Sequence, residues 1–160
     1  MSDSLFFSLR LVSVLGCAMM AGLYFSFSSA IMPALSKLEP SQGILAMQTI
    51  NRIILNPLFL LLFFGSAVAC VLLVVFSFGK LPALNAILLM LGATIYIFGS
   101  PIVTAIINVP LNDGLAVLVP NAAESVNWWA SYLQKWTTWN HVRTVASVTA
   151  TLLLLISDFK

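Results

Sequence analysis

The residues able to do chemistry in this chain are crowded into one stretch. Between Thr104 and Arg143 stand the only histidine, all four tryptophans, and the run Asn108-Val109-Pro110-Leu111-Asn112, in which two asparagines flank a proline. Asn108, Asn112, His141 and Arg143 are the candidate reactive group, with Trp136, Trp139 and Asn140 beside them as candidate contacts to a ligand. Arg143 falls at the apolar end of an amphipathic helix, where a cation needs a partner, a snorkelling route or a cavity. Its expected partners are Asn108, Asn112, Asp113 or a bound molecule. His141 and Arg143 are two residues apart, which on a helix turns them about 200° from one another, so they need not serve one site. One histidine with Asp113 and Glu124 is far from the usual ligand sets, and no metal is expected. The chain has no CxxC, no phosphate loop and no GxSxG, so the groups on offer are amide, guanidinium, imidazole and indole.

These residues must be positioned by membrane-grade sequence. Of 160 residues, 61% are hydrophobic and only 8% charged, against roughly 25% charged in a soluble domain. So few charges cannot cover a water-facing surface, and an integral, multi-pass membrane protein follows. The length holds four spans of about 20 residues with their connections. The net charge of +2 is too small and dispersed for a nucleic-acid footprint. The reading is an all-α, four-helix transmembrane bundle forming one domain over 1–160. Its spans lie at about 11–35, 56–78, 83–108 and 136–156, and amphipathic segments lie at about 44–55 and 122–136.

In the first span Ala18, Gly22, Ser26 and Ala30 recur every four residues as a smooth ridge, read as a helix-packing seam. Tyr24 is its one bulky polar group and is placed toward a cavity. Cys17 and Cys70 read as buried thiols. Apolar sequence runs on past Cys17, which favours a span over a cleaved signal. Pro40 and Gly43 mark a turn before a short interfacial helix from Ile44, whose Gln48, Asn51 and Arg52 share one face. That face reads either as solvated or as a wall over the bundle mouth. Asn56-Pro57 is a cap followed by a proline fit for the first turn of span two. Gly65 and Ala69 offer a second small ridge, and Phe78 to Pro82 is a tight hairpin. In span three Gly92, Tyr96, Ser100, Thr104 and Asn108 are four apart and make one slowly drifting stripe, facing either neighbouring helices or a water-filled cavity. Pro101 should kink it, and the run from Asn108 to Gly114 should end it. Asn121 with Glu124 resembles a capped helix start, opening a long last helix to Ile156. Trp128, Trp129 and Tyr132 read as an interfacial aromatic belt. Four spans put both termini on one side. With Arg52 and Arg143 set aside as functional, Arg10, Lys80 and Lys160 face Lys37 and Lys135, a lean toward cytoplasmic termini in the cell membrane.

Taken together, Gly22-Leu23-Tyr24-Phe25, Met32-Pro33-Ala34-Leu35, Met47-Gln48-Thr49-Ile50-Asn51, Asn108-Val109-Pro110-Leu111-Asn112 and the piece from Trp136 through Trp139-Asn140 to Arg143 resemble the anthrone oxygenase-like family of small membrane proteins. The resemblance covers most of the chain in order, and the pairing of its last two pieces is the most specific part. It implies oxidation of an anthrone to an anthraquinone by O2, without metal, flavin or other cofactor. An anthrone is acidic beside its carbonyl, and its anion passes an electron to O2 unaided. The protein then has to supply deprotonation, charge stabilisation and a dry aromatic slot. The roles implied are His141 as base, and Arg143, Asn108 and Asn112 as oxyanion donors. Trp136 and Trp139 would be stacking walls, with Asn140, Tyr96, Thr104 and Asn51 as further substrate contacts. The competing class is a non-enzymatic membrane protein that binds a lipid, a quinone or a partner helix in the same cavity. Expected partners are membrane lipid, a lipophilic aromatic small molecule and a second copy of the chain.

Overall fold

The computed structural model describes residues 2–79 and 82–157. Among them five helices run in order: α1 (Asp3–Leu35), α2 (Pro40–Ile53), α3 (Pro57–Ser77), α4 (Ala83–Ala116) and α5 (Ala123–Ile156). The fold is all-α. By length and composition α1, α3 and α4 are each able to cross a bilayer, which marks a membrane protein. Their outer faces fit that solvent: Leu58 is 77% exposed and Leu61 71%, and two such leucines on adjacent turns belong in lipid rather than water. The four long helices pack as a ring, α1 against α3 and α5, and α4 against α3 and α5. α2 lies across one end, touching α5 and the last turns of α4.

Local chemistry explains most of the boundaries. Asn56 caps α3, its Oδ1 accepting from the Phe59 amide at 3.0 Å, and Pro57 follows in the first turn, where a missing N–H costs nothing. Gly79 leaves α3 at φ +72°, a backbone that glycine adopts freely. Lys80 and Leu81 of the expected hairpin lie outside the described residues, as does Lys160. α2 begins at Pro40 rather than Ile44, because proline there starts a helix instead of marking a turn. α5 begins without the expected Asn121 cap: its N-cap is Ala122, with no side-chain bond, and the Ser125 hydroxyl donates to the Val119 carbonyl at 2.8 Å.

Two expectations are corrected by packing. The ridge of Ala18, Gly22, Ser26 and Ala30 points away from the other helices, and a Cβ added to Gly22 would meet nothing. The close approach is made by Gly16, where a Cβ would collide with Ser66 of α3. Helix α4 does not end at Asn108. It passes through two π-turns, Phe98–Ile102 and Thr104–Asn108, and continues as α-helix from Val109 to Ala116. Pro101 lies inside the first turn and Pro110 just after the second. A wider turn accommodates a residue that cannot donate to the carbonyl one turn back.

Two clusters fill the interior. Cys17, Met20, Cys70, Leu73, Leu89, Tyr96 and Leu154 form a dry core at the end where α3 passes to α4. Met47, Leu115, Trp129, Tyr132 and Trp136 form an aromatic core under α2. Trp129 and Tyr132 are therefore buried rather than an interfacial belt, and Tyr132 stacks on Trp128, Trp129 and Trp136.

Candidate functional site

A cavity of about 350 Å³ opens at the aromatic end, between α1, α2, the start of α3, the second half of α4, and α5. Position 104 and two later positions one turn apart, 108 and 112, put Thr104, Asn108 and Asn112 on its α4 wall. A stripe spaced by four drifts about 40° per step on a regular α-helix. The π-turns between Phe98 and Asn108 recover part of that drift, so Ser100, Thr104 and Asn108 stay inward. π-turns inside α-helices gather at functional sites. The α2 face of Gln48, Asn51 and Arg52 is the wall over the mouth. Gln48 Nε2 fixes it by donating to the Leu115 and Leu118 carbonyls at 2.9 and 3.1 Å, at the end of α4, where carbonyls run short of intrahelical donors.

Arg143 forms the deep end. Its guanidinium carbon lies 4.5 Å from the centroid of the Tyr24 ring and 4.9 Å from that of Trp136, so it is held between two aromatic rings. It donates to Thr104 Oγ1 at 3.2 Å and to Asn140 Oδ1 at 2.8 Å. These replace the expected partners Asn108, Asn112 and Asp113, because the side chain reaches across to α4 one turn deeper. Both acceptors are neutral, Nε makes no hydrogen bond, and no carboxylate pairs with Arg143 among the described residues. An isolated buried cation is costly, yet this one is only 5% exposed. Asn108 adds a second unfilled valence: its Nδ2 reaches the Trp136 carbonyl at a long 3.4 Å, and its Oδ1 has no partner.

Asn140 is a brace rather than a wall. Its Nδ2 donates to the Tyr24 carbonyl and to Ser28 Oγ, both at 2.7 Å, while its Oδ1 holds Arg143. The π-turn Phe27–Ile31 starts three residues after Tyr24, and Asn140 supplies a donor to backbone at the edge of that irregular turn. Tyr24 is held from its other end by a 2.9 Å bond between its hydroxyl and Ser100. Asn112 fastens the aromatic wall, accepting from Tyr132 Oη at 2.8 Å and Trp136 Nε1 at 2.9 Å. Burial pushes the Tyr132 phenol above its ordinary pKa, which keeps it a donor to Asn112.

The cavity therefore gathers Asn108, Asn112, Arg143, Trp136, Thr104 and Asn51. It does not gather His141, Trp139 or Tyr96. His141 is exposed and faces a shallow groove beside Met32 and Pro33, on the other side of α5. Trp139 is 37% exposed: the inward seam of α5 runs through Trp136, Asn140 and Arg143, and position 139 flanks it. Tyr96 is sealed in the dry core with Cys17 and Cys70, about two turns deeper than Thr104. Sequence reasoning passed over Phe27, whose ring lies 5.4 Å from that of Trp136, and Asp113 as a lining residue. Nothing in a run of apolar and serine residues signals the π-turn that brings Phe27 and Ser28 to the site. Among the described residues no group of three or more His, Cys, Asp or Glu could hold a metal ion.

Residues 59–153, more than half of the chain, match the family model described as anthrone oxygenase. No curated protein and no solved structure matches the chain.

Proposed function

Because this chain belongs to the anthrone oxygenase family, we propose that it is a cofactor-independent oxygenase of a flat, lipophilic anthrone, phenol or quinol. The observation that carries this reading is Arg143: a buried guanidinium between two aromatic rings, with no carboxylate, opening on a cavity. Such a group is matched to a ligand oxygen that gains negative charge, and donors fixed before reaction stabilise that charge most effectively. The unpartnered Asn108 Oδ1 accepts a ligand hydroxyl, and Trp136 and Phe27 give an aromatic flank. A ring that displaces water from the cavity on binding strengthens each contact.

For an anthrone, loss of a proton gives an anion whose charge rests on the carbonyl oxygen at Arg143. The anion gives an electron to O2, and the two radicals combine at carbon as a peroxide anion. The peroxide takes up a proton equivalent to the one first lost, and loss of water then leaves a quinone carbonyl. One oxygen atom enters the product and the other leaves as water, so the substrate carbon supplies all the electrons and no reductant is required.

In this reading the helices form a four-helix transmembrane bundle, with α5 as the fourth span over about 136–156. Val145, Val148, Leu152 and Leu155 on its outer face support this, as does its packing between α1 and α4. α2 then lies at the interface. The test is O2 uptake by purified protein given anthrone. Uptake above the buffer rate with anthraquinone formed in equal amount supports the oxygenase. Tight binding of the quinone with no uptake assigns the cavity to a non-enzymatic binding protein instead.

A further inference from the structure

The base expected at His141 is on the wrong side of α5, so the proton must go elsewhere. The charged or titratable side chains that line the cavity are Tyr24 from α1, Arg52 from α2, Asp113 from α4 and Arg143 from α5. The two guanidiniums carry no lone pair for a proton. The Tyr24 hydroxyl is engaged with Ser100 deep in the interior. Asp113 is the remaining acceptor. It is exposed, whereas Arg143 is buried, so the two mark opposite ends of the cavity. Asp113 follows Thr104, the partner of Arg143, by nine residues on one continuous helix. That is roughly 13 Å along the axis at the α-helical rise, a distance made up of one ring with its carbonyl, a polar contact at each end and an aspartate side chain.

Resting on the oxygenase reading, we infer that Asp113 is the proton acceptor of the reaction, working across the ligand from Arg143. In an anthrone the carbonyl and the acidic CH2 face each other across the central ring. With the carbonyl oxygen seated on Arg143, the CH2 is directed outward, to the rim where Asp113 stands. A C–H bond breaks, its proton passes to the Asp113 carboxylate, and the electron pair moves through the ring onto the oxygen beside Arg143. No electron leaves the substrate in this step. At the rim the proton passes on to water, and the carboxylate is regenerated without a relay. Arg52 lines the same rim and is the other charge that the carboxylate meets there.

The test is done without O2. Anthrone is mixed with wild-type protein, Asp113→Asn and Asp113→Glu at one mildly alkaline pH, and the rise of its anion absorbance is followed in time. Wild type should form the anion faster than anthrone ionises in buffer. Asp113→Asn should form it no faster than buffer does, and Asp113→Glu should fall between, the final level being set by Arg143 in all three. On admitting O2, uptake by Asp113→Asn should be lower by about 10²–10⁴-fold, recovering as pH rises. Affinity for anthraquinone, which has no proton to lose, should be unchanged when read by tryptophan quenching, showing an intact cavity. Anion formation by Asp113→Asn at the wild-type rate overturns the assignment. So does a wild type that fails to speed ionisation. If wild type forms the anion through Asp113 but consumes no O2, the base assignment stands and the oxygenase reading falls.

Discussion

The same four long helices build a dry end and a polar end, and the two ends differ in backbone as well as in side chains. At the dry end Cys17, Met20, Cys70, Leu73, Leu89 and Leu154 are fully buried. The helices there are regular, and glycine at position 16 lets α1 meet α3 at close range. At the polar end both α1 and α4 widen into π-turns, and Asn108, Asn140 and Arg143 are buried. Within a membrane irregular backbone is tolerated where protein or a water-filled cavity satisfies it. Here Asn140 and the cavity meet that condition. The polar end thus forgoes regularity to place unpaired polar atoms around a ligand, and the dry end holds the helices in register.

Substitutions should separate these roles. Leu73→Ala at the dry end should lower unfolding stability by about 2–5 kcal/mol, read by thermal or denaturant unfolding in detergent, with O2 uptake per folded molecule kept. A fall in uptake with no change in stability would dissolve the division between the ends. Arg143→Met should do the reverse. Turnover should drop about 10²–10³-fold, as for loss of one preorganised oxyanion donor, while stability holds or rises because an uncompensated buried cation is removed. Asn112→Leu should show both effects more weakly. Leaving Tyr132 and Trp136 without their acceptor costs about 1–3 kcal/mol and loosens the aromatic wall, seen as weaker anthraquinone binding. Smallest is His141→Ala. With its side chain exposed outside the cavity, stability should stay within about 0.5 kcal/mol and turnover should be unchanged. A large loss there would return the histidine to the chemistry.

Much of this contrast could be read before the structure. Apolar runs without charge disclosed the membrane helices, and the four-residue spacing of Tyr96, Ser100, Thr104 and Asn108 disclosed the inward stripe. The geometry of two residues on a helix already set His141 opposite Arg143. What could not be read was the backbone. A proline in a helix reads as a break or a kink. At Pro101 and Pro110 the chain instead absorbs the missing donor in wide turns and runs on to Ala116. Asn112 and Asp113 thereby move from a presumed loop to the cavity wall. Depth was equally hidden: Tyr96 and Thr104 lie on one stripe, yet one is sealed in the dry core and the other touches the cavity. Small residues misled for a related reason. Gly16 and Gly22 are alike in sequence, and only packing shows which one faces a neighbour.

Arg143, which has neutral acceptors and no carboxylate partner among the described residues, should receive a negatively charged ligand oxygen. The most direct measurement compares the binding of a hydroxyanthraquinone, at a pH where its hydroxyl is ionised, with that of its methyl ether. Both are titrated against wild-type protein and Arg143→Met by tryptophan quenching. Wild type should prefer the anion by at least about tenfold, or ~1.4 kcal/mol, and Arg143→Met should bind the two alike. An equal preference in both proteins would contradict a role for Arg143 in holding that charge.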